Sequence, residues 1–146
     1  MNLLPRRSLL AIAAVIDIAL HARPRPVSAK ALAARHQLGP RHLEGVLHAL
    51  VQAGILKGLR GPRGGYELAR ERRRITVGEI VRATERQPPE GEQHSDLIEE
   101  VVAPALNDAA EAYLVALDAI TVAQLCSKAA EAGLDGQQVA ATDFTI

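Results

Sequence analysis

The stretch RGPRGGYELAR, residues 60–70, constrains the fold more than any other part of the chain. It holds three glycines, one proline and three arginines. Extended runs flank the turn, ILKGLR over 55–60 and YELAR over 66–70, so the pattern predicts a β-hairpin. The predicted tip offers Arg60 and Arg63 to solvent. Cations on an exposed turn suit an anionic partner, and the neighbouring elements must indicate which one.

Two short helices with a tight turn between them are predicted immediately before the hairpin. Ser28 suits the N-cap of the first helix, and Pro40 suits the first position of the second, over 40–53. The leucines of the second helix recur at i, i+4 and i+7, which predicts one buried stripe. Polar or small residues occupy its other side: Arg41, Glu44, Gly45, His48 and Gln52. This arrangement is typical of a helix-turn-helix.

Four further helices are predicted from apolar periodicity. Residues 6–22 are nearly all apolar apart from Asp17, which predicts a helix buried against its neighbours. Thr76 and Glu79 form a capping-box pattern ahead of a helix to about residue 85. A long amphipathic helix with a stripe from Leu106 to Leu117 follows, and we expect a second copy of the chain to cover that stripe. A short helix to residue 132 completes the set.

The N-terminal run also resembles an export signal, because Arg6 and Arg7 precede an apolar stretch. Asp17 interrupts that stretch, and no clean small-residue cleavage site follows it. The apolar run is also too short to cross a bilayer. We therefore expect a packed helix in a cytoplasmic protein without a membrane anchor.

Charge divides the chain at about residue 87. Residues 1–87 carry 16 Lys and Arg against 6 Asp and Glu, while residues 88–146 carry one Lys against 11 acidic residues. The net charges of +10 and −10 fit either two oppositely charged solvated surfaces, or a basic polyanion-binding module joined to an acidic module. We favour the second interpretation, with 1–87 as a winged helix-turn-helix domain, 88–133 as dimerisation helices and 134–146 as a C-terminal tail.

A helix, a helix-turn-helix and an arginine-tipped hairpin together predict a mostly α fold with a small β-hairpin wing. Residues 27–85 resemble the Rrf2 family of bacterial transcription regulators, above all in RGPRGGYELAR followed by ITVGEIVRA. The resemblance continues more loosely through AEAYLVALDAITVAQL, where the family has its long dimerisation helix. It implies a homodimer that binds an inverted repeat in double-stranded DNA, most commonly as a repressor.

Seven residues are the predicted DNA contacts. The resemblance places the family's wing arginine at Arg60 and its base-contacting positions at Arg41 and Glu44. Some members have serine where Arg41 stands, so a different sequence preference is expected. The full predicted set is Ser28, Arg41, His42, Glu44, His48, Arg60 and Arg63.

No cofactor, metal site or catalytic set is predicted. Many family members bind an iron–sulfur cluster through three cysteines ahead of the long helix, whereas this chain has only Cys126. Cys126 is expected to be a small buried hydrophobe rather than a redox sensor. The sequence shows neither a phosphate-binding glycine loop nor a clustered nucleophile and base, so an enzyme is not expected.

The C-terminus, DFTI, suggests a second and different activity. It resembles the isoleucine-ended tails with which serine acetyltransferases enter the active site of O-acetylserine sulfhydrylase. A cluster-free cysteine-metabolism repressor of the Rrf2 family also uses this enzyme as its partner. On this hypothesis Ile146 is the anchor, with Asp143 and Phe144 as supporting contacts. The alternatives are a tail that only folds back or frays, and a protein-interaction module that does not bind DNA.

Overall fold

A computed structural model describes residues 3–85, 91 and 95–136 of the 146-residue chain. The described part confirms a mostly helical fold with one antiparallel hairpin. Its helices are α1 (Arg6–His21), α2 (Ala29–His36), α3 (Pro40–Gln52), α4 (Val77–Thr84), α5 (Ala103–Asp118) and α6 (Val122–Glu131). The hairpin strands are β1 (Leu56–Leu59) and β2 (Gly65–Leu68), a 3-10 turn spans Arg72–Arg74, and a π-helical turn spans Ile98–Val102.

Helix α1 is the centre of the main core, as its apolar composition predicts. Ala11, Val15 and Ile18 are fully buried, and they pack with apolar residues of α2, α3, β1, α4 and α6. A helix that is apolar around most of its surface needs neighbours on several sides. Because α1 packs against these elements, it holds the helix-turn-helix and the wing in place relative to each other.

The wing is attached to the start of α2 by a short third segment of extended chain. Val27 and Tyr66 exchange both backbone hydrogen bonds, at 2.9 and 2.7 Å, beside the β1–β2 ladder. Gly65 at this point has a φ of 154°, and a side chain on it would collide with the Val27 carbonyl. The glycine lets the wing lie directly against the helix-turn-helix.

Helices α4 and α6 begin side by side. Thr76 and Thr121 form an isolated β-bridge, and each threonine is the N-cap in a complete capping box. The box at Thr76 confirms the prediction, while the equivalent box between Thr121 and Gln124 was not predicted. Val122 and Cys126 of α6 enter the main core, so this helix packs directly against the basic half of the chain.

Helix α5 is only partly covered by its own chain. Tyr113, Leu114 and Leu117 pack with Val77 and Val81 of α4 in a second apolar cluster. Leu106 is 59% exposed. The C-terminal half of the stripe is therefore partly covered within the same chain, and a second copy that covers the exposed remainder stays a prediction. Across the described residues, no helix is long and apolar enough to cross a membrane.

Candidate DNA-binding surface

Helix α3 presents a largely polar side to solvent because its leucines are used in the core. Leu43, Leu47 and Leu50 are at most 2% exposed. Arg41, Glu44 and His48 are exposed and follow one another at i, i+3 and i+7, so they lie on one side of the helix. His42 is exposed at the edge of this side. The helix thus has the form of a recognition helix that can enter a groove.

The wing adds a second basic element beside α3. Arg60 and Arg63 are both exposed, and a hydrogen bond of 2.9 Å from the Gly64 N–H to the Gly61 carbonyl closes the turn between them. Gly61 has a φ of 107°, which favours glycine. Because the turn is tight and contains glycine, few backbone and side-chain atoms surround the two guanidinium groups, which face solvent.

The wing tip and the start of α2 enclose a cleft of about 370 Å³. Ser28 and Arg63 both line it, so the structure brings these two predicted residues together. The Ser28 hydroxyl accepts a hydrogen bond of 3.1 Å from the Ala31 N–H and is therefore already the helix cap. Arg25, which was not among the predicted contacts, also lines this cleft. Arg25 lies within the sequence ARPRP, whose prolines were interpreted only as a break between two helices.

A buried carboxylate lies behind the cleft and joins α1 to α2. The Asp17 side chain is 5% exposed and accepts hydrogen bonds of 2.6 and 2.8 Å from Arg35. His36 Nε2 lies 2.9 Å from one carboxylate oxygen of Asp17, and His21 Nδ1 lies 3.3 Å from the other. Sequence reasoning missed this network, because Arg35 and His36 lie 18 and 19 residues after Asp17 in the chain. His21 and Arg35 also line the cleft under the wing.

The network keeps Asp17 ionised in spite of its burial. Burial alone raises the pKa of Asp17, but hydrogen bonds from Arg35 and His36 and the charges of Arg35 and His21 outweigh it. The pKa therefore lies below its ordinary value of 3.8. The reciprocal interaction raises the pKa of Arg35. The cluster is a fixed ion pair that holds α2 on α1.

Arg7 supports the recognition helix from behind. Its Nε donates to the Thr84 carbonyl of α4 at 3.3 Å, and its Nη2 donates to the Gly45 carbonyl of α3 at 3.5 Å. A Cβ at Gly45 would lie 3.4 Å from the flexible end of this guanidinium. Arg7 thus ties α3 and α4 to the start of α1.

The predicted partner-binding residues Asp143, Phe144 and Ile146 lie outside the described residues. Cys126 is 4% exposed in α6, and burial raises the pKa of its thiol. In the described ranges, no group of three or more His, Cys, Asp or Glu side chains is placed to hold a metal ion.

Comparisons with known proteins agree with this geometry. The model of the Rrf2 family, described as iron-dependent transcriptional regulators, matches residues 4–128. A helix-turn-helix-type transcriptional regulator of Synechocystis sp. is 33% identical over 126 residues, which cover 84% of this chain and 86% of that protein. The chain spans about half the length of several other curated relatives that it matches.

Two solved structures have the same fold. IscR of T. potens superposes with a TM-score of 0.70 at 34% identity, covering 90% of each chain. CymR, the global cysteine regulator of B. subtilis, superposes with a TM-score of 0.66 at 28% identity, covering 88% of this chain and 98% of that one.

The iron named in the family description does not fit the ligands that this chain offers. Iron–sulfur clusters are held mainly by several cysteine thiolates, and the sequence contains one cysteine, which is buried in α6. The family model nevertheless matches residues 4–128, a range that includes α3 and the wing. The chain belongs to the Rrf2 family of transcriptional regulators.

Proposed function

We propose that this regulator binds an inverted repeat in double-stranded DNA as a homodimer, most simply as a repressor in the cytoplasm. The observation that carries the proposal is the exposed polar side of α3 beside the two exposed arginines of the wing. Both elements belong to the half of the chain with a net charge of +10. Phosphate neutralisation by such a surface supplies affinity, and contacts to base edges supply specificity.

Each part of the surface has a proposed role. Arg41 and Glu44 contact base edges in the major groove, because both lie near the start of the exposed side of α3. His42 and His48 contact phosphates at the edges of that groove. Arg60 enters the adjacent minor groove, where a narrow groove focuses negative potential. The cleft between Ser28 and Arg63 receives a backbone phosphate, with Arg25 as an additional cation.

The proposed dimer uses the apolar side of the segment that leads into α5. Five large apolar side chains between residues 97 and 106 are between 40 and 64% exposed: Leu97, Ile98, Val101, Val102 and Leu106. Exposed apolar side chains grouped in one short segment are typical of an interaction site. A two-fold dimer through this surface would place two recognition helices about one turn of DNA apart. Residues 1–87 would then bind DNA and residues 88–133 would dimerise.

We further propose that the regulator works without an iron–sulfur cluster and has no catalytic activity. One cysteine per chain gives two per dimer, which is fewer than a cluster normally requires. A regulator without a cluster needs another source of its signal. A second protein could supply that signal.

We propose that the C-terminal tail binds this second protein. The likeness to CymR, a global cysteine regulator, favours a role in cysteine metabolism. The last four residues, DFTI, resemble isoleucine-ended tails whose carboxylate and aliphatic side chain are bound together by a pocket with N–H donors and an apolar floor. O-acetylserine sulfhydrylase is the proposed partner, and its substrate would compete with Ile146 for the active site. This activity is also the alternative function if the chain does not bind DNA.

Deletion of Ile146 tests the tail separately from DNA binding. Calorimetry should show binding of the full chain to the sulfhydrylase and no binding of the one-residue deletion. Ile146→Val, a matched change that keeps the carboxylate and a branched side chain, should retain weakened binding. If neither the full chain nor the deletion binds the sulfhydrylase, the tail is not a docking segment for this enzyme.

The DNA-binding proposal is tested by selecting bound fragments of genomic DNA with the purified protein. Selected fragments should share an inverted repeat, and affinity should fall steeply with salt. A scrambled duplex of equal length and composition is the control. Equal affinity for selected and scrambled duplexes would contradict a sequence-specific regulator.

A further inference from the structure

The cleft under the wing is lined by guanidinium groups from three separate parts of the chain. Arg25 lies in the connection between α1 and α2, Arg35 lies in α2, and Arg63 lies in the turn of the wing. The described residues that line this cleft include no aspartate or glutamate. A recess of about 370 Å³ that offers three guanidinium groups is suited to a phosphate group, because arginine binds phosphate oxygens through paired N–H donors.

Arg35 differs from the other two arginines because its guanidinium is held in one orientation. Its Nε and Nη2 donate to the two carboxylate oxygens of Asp17, at 2.8 and 2.6 Å. The Asp17 side chain is 5% exposed, whereas the Arg35 side chain is 39% exposed. One edge of the guanidinium is therefore fixed by a buried carboxylate, while the side chain as a whole still reaches solvent.

The second edge of the Arg35 guanidinium keeps its donors. A guanidinium has more N–H groups than one carboxylate can accept, and the pair with Asp17 engages only the Nε and Nη2 side. Across the part of the chain that the structure describes, Arg35 Nη1 donates to no other group. Because Arg35 also lines the cleft, it can bind an anion there without releasing Asp17.

The charge of Asp17 is compensated inside the protein. In addition to the arginine pair, His36 Nε2 lies 2.9 Å from one carboxylate oxygen and His21 Nδ1 lies 3.3 Å from the other. Arg25 and Arg63, in contrast, are exposed and form no ion pair with the residues that the structure describes. The cleft therefore offers uncompensated positive charge, which favours an anion from outside the chain.

We infer that Arg35, oriented by Asp17, binds a phosphate of the DNA backbone together with Arg25 and Arg63. The inference rests on the proposed DNA-binding function, and it adds a phosphate contact and the residue that positions it. Arg35 belongs to the helix-turn-helix and Arg63 to the wing, so a single phosphate joins both elements. Phosphate contacts of this kind set the register of a protein on the duplex. The contact thus fixes where α3 and the wing enter their grooves.

The backbone phosphate is the favoured occupant because of where the cleft lies. Ser28, which caps the N-terminus of α2, lines the cleft together with the wing turn. The first helix of a helix-turn-helix crosses the DNA backbone when the second helix enters the major groove. Inorganic phosphate offers the same oxygens, so the experiments include it as a separate ligand.

A paired substitution that removes both charges tests the contact. Asp17→Asn/Arg35→Gln keeps the net charge of the chain and leaves no buried carboxylate without its partner. We expect the affinity for the selected operator to fall about 5- to 30-fold. The slope of log K against log salt should fall by about one, because one phosphate contact is lost. A slope equal to that of wild type would overturn the inference.

Arg70→Gln/Glu79→Gln is the matched control for this pair. Arg70 donates to Glu79 at 2.9 Å, and its side chain is 39% exposed, as is that of Arg35. Arg70 lines a different cleft, and glutamine at position 79 can still complete the capping box. The control should keep the wild-type salt slope. An equal loss of slope in both paired variants would indicate a general effect of charge and would overturn the contact.

Neutralised phosphates locate the contact directly. In a series of operators with one methylphosphonate each, one position in each half-site should weaken binding of wild type but not of Asp17→Asn/Arg35→Gln. Arg35→Lys should also be insensitive at that position, because an ammonium group can pair with Asp17 but lacks the second edge of a guanidinium. Circular dichroism confirms that each variant is folded. Equal sensitivity of wild type and both variants at every position would show that Arg35 contacts no phosphate.

Asp17→Asn alone tests the positioning role. The change keeps the charge of Arg35 but replaces the carboxylate by a weaker acceptor, so operator affinity should fall about 3- to 10-fold. The loss caused by the methylphosphonate at the Arg35 position should become smaller in this variant, which a purely structural role of Asp17 would not produce. A folded Asp17→Asn protein with wild-type sensitivity at that position would show that Asp17 does not position Arg35.

Calorimetry with inorganic phosphate, in the absence of DNA, separates the two sources of phosphate. Binding of inorganic phosphate, together with an operator affinity that depends on no single phosphate, would assign the cleft to a free oxyanion and overturn the DNA contact. Equal affinity of wild type for selected and scrambled duplexes would contradict the proposed function itself. A sequence-specific protein whose salt slope is unchanged in Asp17→Asn/Arg35→Gln would overturn only the Arg35 contact.

Discussion

At the scale of single residues, Asp17 has a structural role that its position in an apolar helix does not suggest. In the sequence it interrupts an apolar helix, whereas in the structure it is the best-buried charge of that helix and joins α1 to α2. Removing one partner of a buried ion pair leaves the other without compensation. Arg35, which lines the cleft under the wing, is the residue that would lose its support.

Replacement of Asp17 by Asn should lower the free energy of unfolding by about 1–3 kcal/mol near neutral pH. Because the folded pKa of Asp17 lies below its unfolded value, the ionised carboxylate adds stability above that unfolded value. That contribution disappears as pH falls below 3.8 and through the folded pKa. Urea unfolding at a series of pH values measures it, with the exposed Glu131→Gln as control. A difference between wild type and Asp17→Asn that stays constant into acid would contradict this assignment.

Arg60 carries the proposed contact between wing and DNA. Arg60→Ala should weaken specific binding by roughly 1–3 kcal/mol, with little change in folding, because the side chain is exposed. Arg73→Ala is the matched control, since Arg73 is 71% exposed and pairs with Glu71 at 2.7 Å. Fluorescence anisotropy on the selected operator measures both. Equal affinity of Arg60→Ala and wild type would show that the wing does not contact DNA.

At the scale of elements, close contact between α4 and the end of α5 fixes how α5 leaves the basic half of the chain. Arg82 of α4 donates to both carboxylate oxygens of Asp118, at 2.6 and 3.0 Å. Gly78 lies under this carboxylate, and a side chain there would collide with it. The ion pair and the glycine together set the packing of α4 on α5.

Substitution of Gly78 by Ala should therefore destabilise the protein by about 1–3 kcal/mol, in spite of the higher helix propensity of alanine. Gly45→Ala offers a contrast within α3, because the nearest atom to a side chain there is the flexible end of Arg7 at 3.4 Å. That change should be neutral or stabilising. Thermal unfolding followed by circular dichroism compares the two. A similar rise in Tm for both variants would exclude the predicted crowding at Gly78.

The elements also show what local pattern can and cannot predict. Pro40 at the start of α3, Ser28 as a cap and the Thr76 capping box follow from backbone requirements within a few residues, and all three were predicted. Periodicity indicated the apolar side of α5 but not what covers it, so the partial burial of Tyr113 and Leu114 within the same chain was missed. The network at Asp17 was missed for the same reason, because its partners meet only after α1 and α2 have packed.

At the scale of the whole molecule, the division of charge has a consequence for assembly. Exposed apolar side chains such as Leu97, Val101 and Leu106 lie in the acidic half, whereas the exposed arginines of α3 and the wing lie in the basic half. In the proposed homodimer a second copy covers these apolar side chains. In the proposed complex the opposition of charge keeps the acidic helices away from phosphates and leaves α3 and the wing to face DNA.

Iron removal should have no effect on this regulator. Protein purified anaerobically should be colourless, and chelator treatment should leave operator affinity unchanged, because one buried cysteine cannot hold a cluster. Absorption spectra with iron and sulfide analysis provide the measurement. Stoichiometric iron and sulfide with a visible charge-transfer band would contradict the proposal of a cluster-free regulator.

Footprinting of the selected operator, with the stoichiometry of the complex measured on the same duplex, examines dimeric, sequence-specific binding in one experiment. We expect two symmetric protected half-sites about one helical turn apart, bound by two chains. Protection in the minor groove beside each half-site should disappear in Arg60→Ala. A single asymmetric protected site bound by one chain, or uniform protection without sequence preference, would show that the protein is not a dimeric, sequence-specific regulator.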